Sequence, residues 1–310
     1  MMADAYDSSR ADHIYRVGPE TLTAQAFAVA TGPVARYSKQ TTEMSQPGPD
    51  GFALRWVVSG RFEHPEVIKG RLPSGDVVPF ERFEQSGMLP APQPVAAWER
   101  DLGDLDSGDE ALLFLLGDPV KPTFRVLPSR EPATGLAATV RRAAAIQALA
   151  EPSERRTAWL DYLQSAATDE GRQAALRSLI ATGGPDWSRL QPVLSAVLLR
   201  PGLSPQMRGY VAGIVAWSVM QDRWAEQQFE AAEFVCRQFD EVREPWLALQ
   251  LALTLKQLMA FGAVEPTDAV RRQIRQRVAQ SVRRAAAGPG LSHDVEQQLQ
   301  QLREAHPGEF

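Results

Sequence analysis

Up to about residue 130, the chain consists of short runs in which apolar and polar residues alternate, separated by segments rich in Gly and Pro. In the run 52–59, for example, Phe52, Leu54 and Trp56 fall on one side of an extended strand. Five such runs predict about five strands, over residues 22–31, 52–59, 76–83, 110–116 and 123–127. Five short strands separated by turns favour a small closed β-barrel over a large sandwich.

A different pattern follows the segment 128–135, where apolar residues begin to recur every three or four positions. This period is typical of amphipathic helices. Start signals such as Ser204 before Pro205, and stop signals such as Gly183 before Gly184, divide the region into nine predicted helices. Their predicted spans are 136–149, 153–165, 169–182, 186–199, 204–220, 222–239, 244–262, 266–287 and 292–305.

Together the two patterns predict an α+β protein with two segregated domains. We expect a flexible N-terminus over residues 1–20, a β-barrel domain over 21–130 and an all-α domain over 136–305. Four arginines near predicted helix starts are separated by 31, 36 and 35 residues, namely Arg141, Arg172, Arg208 and Arg243. This spacing favours helical hairpins stacked as repeats, with a globular helical bundle as the alternative.

The amino-acid composition indicates a soluble protein and argues against several other classes. A chain of 310 residues with 44% hydrophobic and 23% charged residues is typical of a soluble protein with about two domains. Its formal net charge of −5 argues against a chain that is one continuous nucleic-acid-binding surface. The single cysteine, Cys236, excludes an internal disulfide and a Cys-rich zinc cluster.

The sequence contains little that indicates the cellular compartment. The N-terminus shows no signal-peptide pattern, and no apolar run approaches the roughly 20 residues of a membrane span. We therefore expect a cytoplasmic protein without a membrane span, or an envelope or secreted protein if a leader has been removed. The sequence leaves the oligomeric state and the identity of any partner open.

Two short patterns resemble known families. The run Val67, Ile68, Lys69, Gly70, followed by the predicted strands at 76–83 and 110–116, resembles netrin-like, TIMP-like OB barrels over roughly residues 20–127. The run 169–179 resembles the first helix of a HEAT-like repeat. The resemblance implies a bacterial binding or scaffolding module, and it shifts the expected location toward the cell envelope. It does not imply protease inhibition through an N-terminal cysteine, because no cysteine precedes Cys236.

Candidate catalytic groups are sparse. The four histidines, His13, His64, His293 and His306, include no pair at the i, i+4 spacing of a helical metal site. The polar cluster 63–66 contains Pro65, which favours an exposed turn over a metal site. We find no nucleotide-binding glycine loop and no nucleophile elbow. The sequence therefore predicts no cofactor and no metal.

An acidic stretch occupies residues 99–110. Its candidate residues are Asp101, Asp104, Asp106 and Asp109. A calcium loop would need a bidentate Glu at position 115, where the chain has Leu115. A solvated loop that offers an acidic contact to a basic surface is the favoured interpretation.

A basic helix is predicted near the C-terminus, with six arginines and no acid between residues 270 and 284. The candidate partner-binding residues are Arg271, Arg272, Arg275 and Arg277. An apolar stripe at every fourth residue predicts a half-buried helix, and it consists of Val270, Ile274, Val278 and Val282. We expect an acidic protein surface as the counterpart rather than nucleic acid, because no aromatic residue interleaves with the arginines to stack bases. A solvated face is nevertheless the favoured interpretation of these arginines, because 29 of the 33 basic residues of the chain are arginine, and a dedicated binding patch is the alternative.

Cys236 and the helical tryptophans are expected in the core, as small and large hydrophobic residues respectively. The tryptophans in question are Trp159, Trp217, Trp224 and Trp246.

The favoured function is a non-enzymatic protein-interaction or scaffold module that combines a β-barrel with a helical array. The alternative is an enzyme whose site lies between the domains and uses dispersed carboxylates and arginines.

Overall fold

The computed structural model of the chain describes residues 18–44, 53–73, 77–87, 107–129, 135–182, 185–221, 223–242, 244–261, 269–287 and 291–310. These residues form two compact units that divide between Ala158 and Trp159. The first unit contains an antiparallel sheet and the second contains helices. The predicted α+β layout in two parts is therefore confirmed.

The sheet of the first unit has six strands in the described part of the chain. They are β1 (Ala28–Met44), β2 (Ala53–Glu63), β3 (Glu66–Lys69), β4 (Val77–Gly87), β5 (Glu110–Asp118) and β6 (Lys121–Pro128). The order across the sheet is β4-β2-β1-β5-β6, and β3 also pairs with β1. The edge strands β4 and β6 come into contact, so the sheet curls into a half-barrel.

β5 is buried on both of its faces, which explains its uninterrupted apolar run from residue 111 to 116. Leu113 and Leu115 point into the half-barrel, where Phe62 and Phe80 contact each other with ring centroids 5.5 Å apart. The alternate side chains face the opposite way and join a second cluster, into which Phe114 packs.

The second cluster is covered by two helices, α1 (Pro19–Gln25) and α2 (Leu136–Gln147). The prediction of a strand from residue 22 was wrong at its start, because residues 22–25 are helical. Pro19 occupies a first-turn position and Glu20 adds an acid there, and both are helix-start signals. Of the predicted flexible N-terminus, only residues 18–20 lie within the described part, and they are buried.

α2 follows the predicted linker yet packs with the sheet. Leu136 and Val140 of α2 share a core cluster with Leu22 of α1, and Gln147 Nε2 donates a hydrogen bond of 2.9 Å to the carbonyl of Glu20. Residues 130–134 of that linker lie outside the described residues. The domain limits 21–130 and 136–305 therefore stay predictions, and α2 belongs to the compact unit of the sheet.

The helices that follow are α3 (Pro152–Ser165), α4 (Asp169–Ala181), α5 (Trp187–Leu198), α6 (Pro205–Met220), α7 (Gln228–Glu241), α8 (Pro245–Phe261), α9 (Ala269–Ala287) and α10 (His293–Ala305). With α2, all nine predicted helices are present among the described residues. The largest difference between a predicted and an observed helix start is at α7, which was predicted from residue 222 and begins at Gln228. A short 3-10 turn, Ala225–Gln227, precedes it. No described helix combines the length and apolarity that a membrane crossing requires.

The helices of the second unit form an array. Helices two apart in sequence are in contact, extensively for α6 with α8, α7 with α9 and α8 with α10, and less so for α4 with α6. The consecutive helices α6 and α7 also pack against each other. α4 and α6 are tied at both ends: Ser204 Oγ donates to the Asp169 carboxylate at the N-termini, and Arg223 donates to the carbonyl of Ile180 near the C-terminus of α4. These contacts align the two helices side by side in parallel.

Candidate functional site

The predicted basic helix is α9, and its apolar stripe anchors it. Ile274, Val278 and Val282 are fully buried, as predicted, whereas Val270 at the start of the helix is half-buried. Burying this stripe fixes the rotation of α9 about its own axis. The arginines are thereby distributed over two flanks of the helix with different surroundings.

One flank faces α7, where Arg277 contacts two carboxylates. Its Nε pairs with Glu233, its Nη2 lies 2.9 Å from Asp240 Oδ2, and its Nη1 donates to Ser281 Oγ at 2.6 Å. Arg284 pairs with the same Asp240 oxygen at 3.2 Å. The Arg277 side chain is only 10% exposed, so this predicted partner-binding residue lies in an internal ion-pair network.

The network shifts the pKa values of Glu233 and Arg277. Partial burial alone would raise the pKa of the Glu233 carboxyl, but hydrogen bonds from Arg277 and Arg237 outweigh burial and lower that pKa. Burial would likewise lower the pKa of the Arg277 guanidinium, and its bonds to Glu233 and Asp240 raise it instead. The charged forms of Glu233 and Arg277 are favoured, which is the behaviour of a structural ion pair rather than of a group that exchanges protons near neutral pH.

The opposite flank faces the end of the chain. Arg275 Nη2 lies 2.7 Å from Glu309 Oε1, and Arg283 Nη1 donates to the backbone carbonyl of the same Glu309 at 2.9 Å. Arg271 is half-buried and Arg272 is exposed. The four predicted arginines are therefore not one patch, because Arg277 lies on the α7 side.

The acidic stretch is only partly described. Asp101, Asp104 and Asp106 lie outside the described residues. Asp109 belongs to the first unit, where its backbone carbonyl accepts a hydrogen bond of 2.9 Å from Val34 N. Its role as part of an acidic contact loop stays a prediction.

Cys236 is buried, as predicted. Burial raises the pKa of its thiol to about 12, so the thiol is protonated and unreactive at neutral pH. His64 is exposed in the turn between β2 and β3. Its neighbours form ion pairs away from it, Glu63 with Arg61 and Glu66 with Arg141, so the prediction of an exposed turn is confirmed. In the described ranges, no three His, Cys, Asp or Glu side chains converge as metal ligands.

The tryptophans divide into buried and exposed residues. Trp159 and Trp217 are buried, as predicted. Trp224 is half-buried and packs on Trp187, with ring centroids 5.0 Å apart. The prediction for Trp246 was wrong, because its side chain is 41% exposed near the start of α8.

Trp246 belongs to an exposed strip along α8. Leu253 follows it two turns later and is 37% exposed, and Leu249 between them is half-buried. Two charged side chains of the described residues lie near the strip. Lys256 is turned toward α10, where its Nζ donates to Gln298 and Gln301 at 3.1 Å, and the Glu244 carboxylate caps the start of α8 by accepting hydrogen bonds from Trp246 N and Leu247 N. The other faces of α8 pack against α6, α7, α9 and α10.

Sequence reasoning missed this strip for a physical reason. α8 is apolar around almost its whole circumference, so its pattern gives no polar face that would mark the exposed side. The spacing of Trp246, Leu249 and Leu253 at i, i+3 and i+7 places them on one face, but only tertiary packing shows that this face is uncovered.

Comparisons of the chain with protein families, curated proteins and solved structures found no match.

Proposed function

We propose that this protein is a non-enzymatic interaction module that binds a partner protein through its helical array. The observation that carries the proposal is the exposed strip of Trp246, Leu249 and Leu253 on α8. Tryptophan and large aliphatic residues that form a contiguous exposed face are typical of protein-binding surfaces. The proposed scaffold would be a HEAT-like array after a netrin-like OB barrel, in keeping with the half-barrel and the helices packed two apart.

The chemistry of the strip indicates its occupant. Neutral Gln250 lies within the strip and neutral Gln257 follows one turn beyond Leu253, and Lys256 is tied to two glutamines of α10. A face of apolar and neutral side chains favours an amphipathic segment of a partner protein over a phosphate-rich ligand. α6 packs beside the strip at Gly209, where a Cβ would make an ordinary contact of 3.5 Å with Gln250 Cβ. The strip is therefore bordered by a helix rather than by a loop.

The proposal is tested with Trp246→Ser combined with Leu253→Ser. Leu199→Ser is the matched control, because Leu199 is a more exposed apolar residue, 83% accessible, at the end of α5. Proteins that the unchanged chain retains from cell extracts are purified. Their binding affinities are then measured for the unchanged chain, the double variant and the control. We expect at least about tenfold weaker binding for the double variant, since truncation of interface anchors costs more than about 1.4 kcal/mol, and unchanged binding for the control.

Two results would contradict the proposal. The first is a set of retained proteins whose measured affinities do not depend on Trp246 and Leu253. The second is concentration-dependent dimerisation of the unchanged chain in sedimentation velocity that the double variant abolishes. That result would assign the strip to a second copy of this chain instead of a different protein.

A further inference from the structure

Three hydrogen-bonding side chains form one edge of the α8 strip. They are Lys256 of α8 with Gln298 and Gln301 of α10, called the donor cluster below. Lys256 Nζ lies 3.1 Å from the Oε1 atom of each glutamine. Lys256 follows Leu253 by three residues and Leu249 by seven, so these three residues share one face of α8. The donor cluster therefore lies where the strip meets α10.

Lys256 is hydrogen-bonded but has no counterion. An ammonium group has three N–H donors, and two of those of Lys256 are directed at neutral amide oxygens. Within the described residues, no carboxylate pairs with Lys256 and no other group accepts its third N–H. The amide oxygens satisfy hydrogen bonds, but they do not compensate the positive charge.

The acid at the start of α8, Glu244, does have compensating partners. One of its carboxylate oxygens accepts from Trp246 N at 3.0 Å and the other from Leu247 N at 2.6 Å. The N–H groups at a helix N-terminus carry partial positive charge, which stabilises an acid there. Of the two charged residues beside the strip, Lys256 is therefore the one whose charge is left for a partner to match.

The two glutamines add further donors to the cluster. Because each directs its oxygen to Lys256, its NH₂ group is the part left for a ligand. Neither NH₂ group has a hydrogen bond within the part of the chain that the structure describes, and Gln301 is exposed. A carboxylate accepts hydrogen bonds without donating any, so it fits a cluster of one ammonium and two amide donors.

We propose that the partner segment bound by the α8 strip carries an acidic side chain at the edge of its apolar face, and that the donor cluster binds this carboxylate. The inference rests on the proposed function of the strip. It narrows the partner to an acidic amphipathic segment, and it orients that segment by placing the acid on the α10 side. Docking excludes water from the contact between Lys256 and the carboxylate, which strengthens the ion pair.

The experiment measures the fluorescence anisotropy of two labelled amphipathic peptides, each of about four helical turns, with the full chain. Both peptides have the same leucine face, and its two edges are glutamate in one peptide and glutamine in the other. We expect the glutamate peptide to bind about fivefold more tightly. The chain has a net charge of −5, so long-range repulsion favours the glutamine peptide. A preference for glutamate therefore requires a local positive site.

Three variants assign the preference to its residues. Lys256→Met removes the charge but keeps an apolar stem, and it should abolish the preference for glutamate. Arg156→Met is the matched control, because it removes one positive charge from an exposed position of α3 and should leave the preference unchanged. Trp246→Ser combined with Leu253→Ser should weaken the binding of both peptides at least about tenfold.

Equal affinity of the unchanged chain for the two peptides would overturn the inference, as would a preference that survives Lys256→Met or is lost equally in Arg156→Met. If the strip variant still weakens both peptides, the proposed function of the strip stands without the donor cluster. If the unchanged chain binds neither peptide, or the strip variant binds both as tightly as the unchanged chain, both proposals fail. The comparison of the two peptides on the unchanged chain decides the question even if Lys256→Met fails to fold.

Discussion

Arg277 holds two carboxylates of a neighbouring helix at once, and it does so with little exposure to water. Removing one member of such an ion-pair network lowers the free energy of unfolding by more than forming the network raises it. The reason is that the remaining charges stay partly buried without a partner of opposite charge. Its neighbour in the network, Arg237, binds the same Glu233 from a position that is 59% exposed. The two arginines can therefore be compared directly, since both bind Glu233 but Arg277 is the more buried and also binds Asp240.

We expect Arg277→Ala to lower the free energy of unfolding by about 2 kcal/mol, because Glu233 and Asp240 would remain half-buried without their shared cation. Arg237→Ala should cost no more than about 0.5 kcal/mol, as is usual for an exposed pair within one helix. Urea denaturation of the two variants measures both values. Equal losses would show that the network behaves as a surface ion pair.

The same network predicts a pH dependence. The pKa of Glu233 is lowered in the folded chain from its ordinary value of 4.5, so the native state favours the ionised form. The resulting stability is fully present above pH 4.5 and is lost as the pH falls through the lowered pKa. The difference in stability between the unchanged chain and Arg277→Ala should therefore be constant near neutrality and shrink below pH 4.5. A difference that grows on acidification would contradict this assignment.

Cys236 should be inert in the native protein. Burial raises the pKa of its thiol to about 12, so almost none of it is thiolate at neutral pH. We expect no reaction with Ellman's reagent in buffer and one thiol per chain in guanidinium chloride. Rapid reaction in buffer would mean that α7 opens readily.

At the scale of helices and strands, the sequence predicts those features that residues close together in the chain determine. The start signal at Ser204 is confirmed, because its side chain caps α6 by accepting a hydrogen bond from Met207 N. Thr168 caps α4 in the same way through Gly171 N, a signal that the sequence analysis did not use. α1 was missed because its seven residues contain too few apolar positions to show a period. The exposed side of α8 was missed because a helix that is apolar all round gives no local sign of which neighbours cover it.

One glycine in the predicted barrel motif has a strong steric role. Gly70 has a φ of +70°, and a Cβ at this position would overlap the carbonyl oxygen of Phe27. Gly117 has a similar φ of +77° with open space around it. We expect Gly70→Ala to lower the free energy of unfolding by at least about 3 kcal/mol, and Gly117→Ala by only about 1 kcal/mol, the cost of the left-handed conformation. Thermal or urea denaturation compares them, and equal costs would show that the contact with Phe27 relaxes.

At the scale of the whole molecule, the sequence predicted the order of sheet and helices but not the surfaces. Which arginines of α9 face α7 and which face the end of the chain depends on contacts between residues far apart in sequence, such as Glu233 and Arg277. The exposed strip of α8 likewise becomes visible only when the neighbouring helices are packed.

Photo-crosslinking from α8 tests directly whether a partner protein binds the strip. p-Benzoylphenylalanine in place of Trp246 preserves a large aromatic group on the strip, and the same group in place of the more exposed Leu199 is the control. Irradiation in an extract of the source organism should give an adduct of one defined mass from position 246 and none from position 199. Identical adducts at both positions, no adduct at 246, or an adduct of only two copies of this chain would contradict the account.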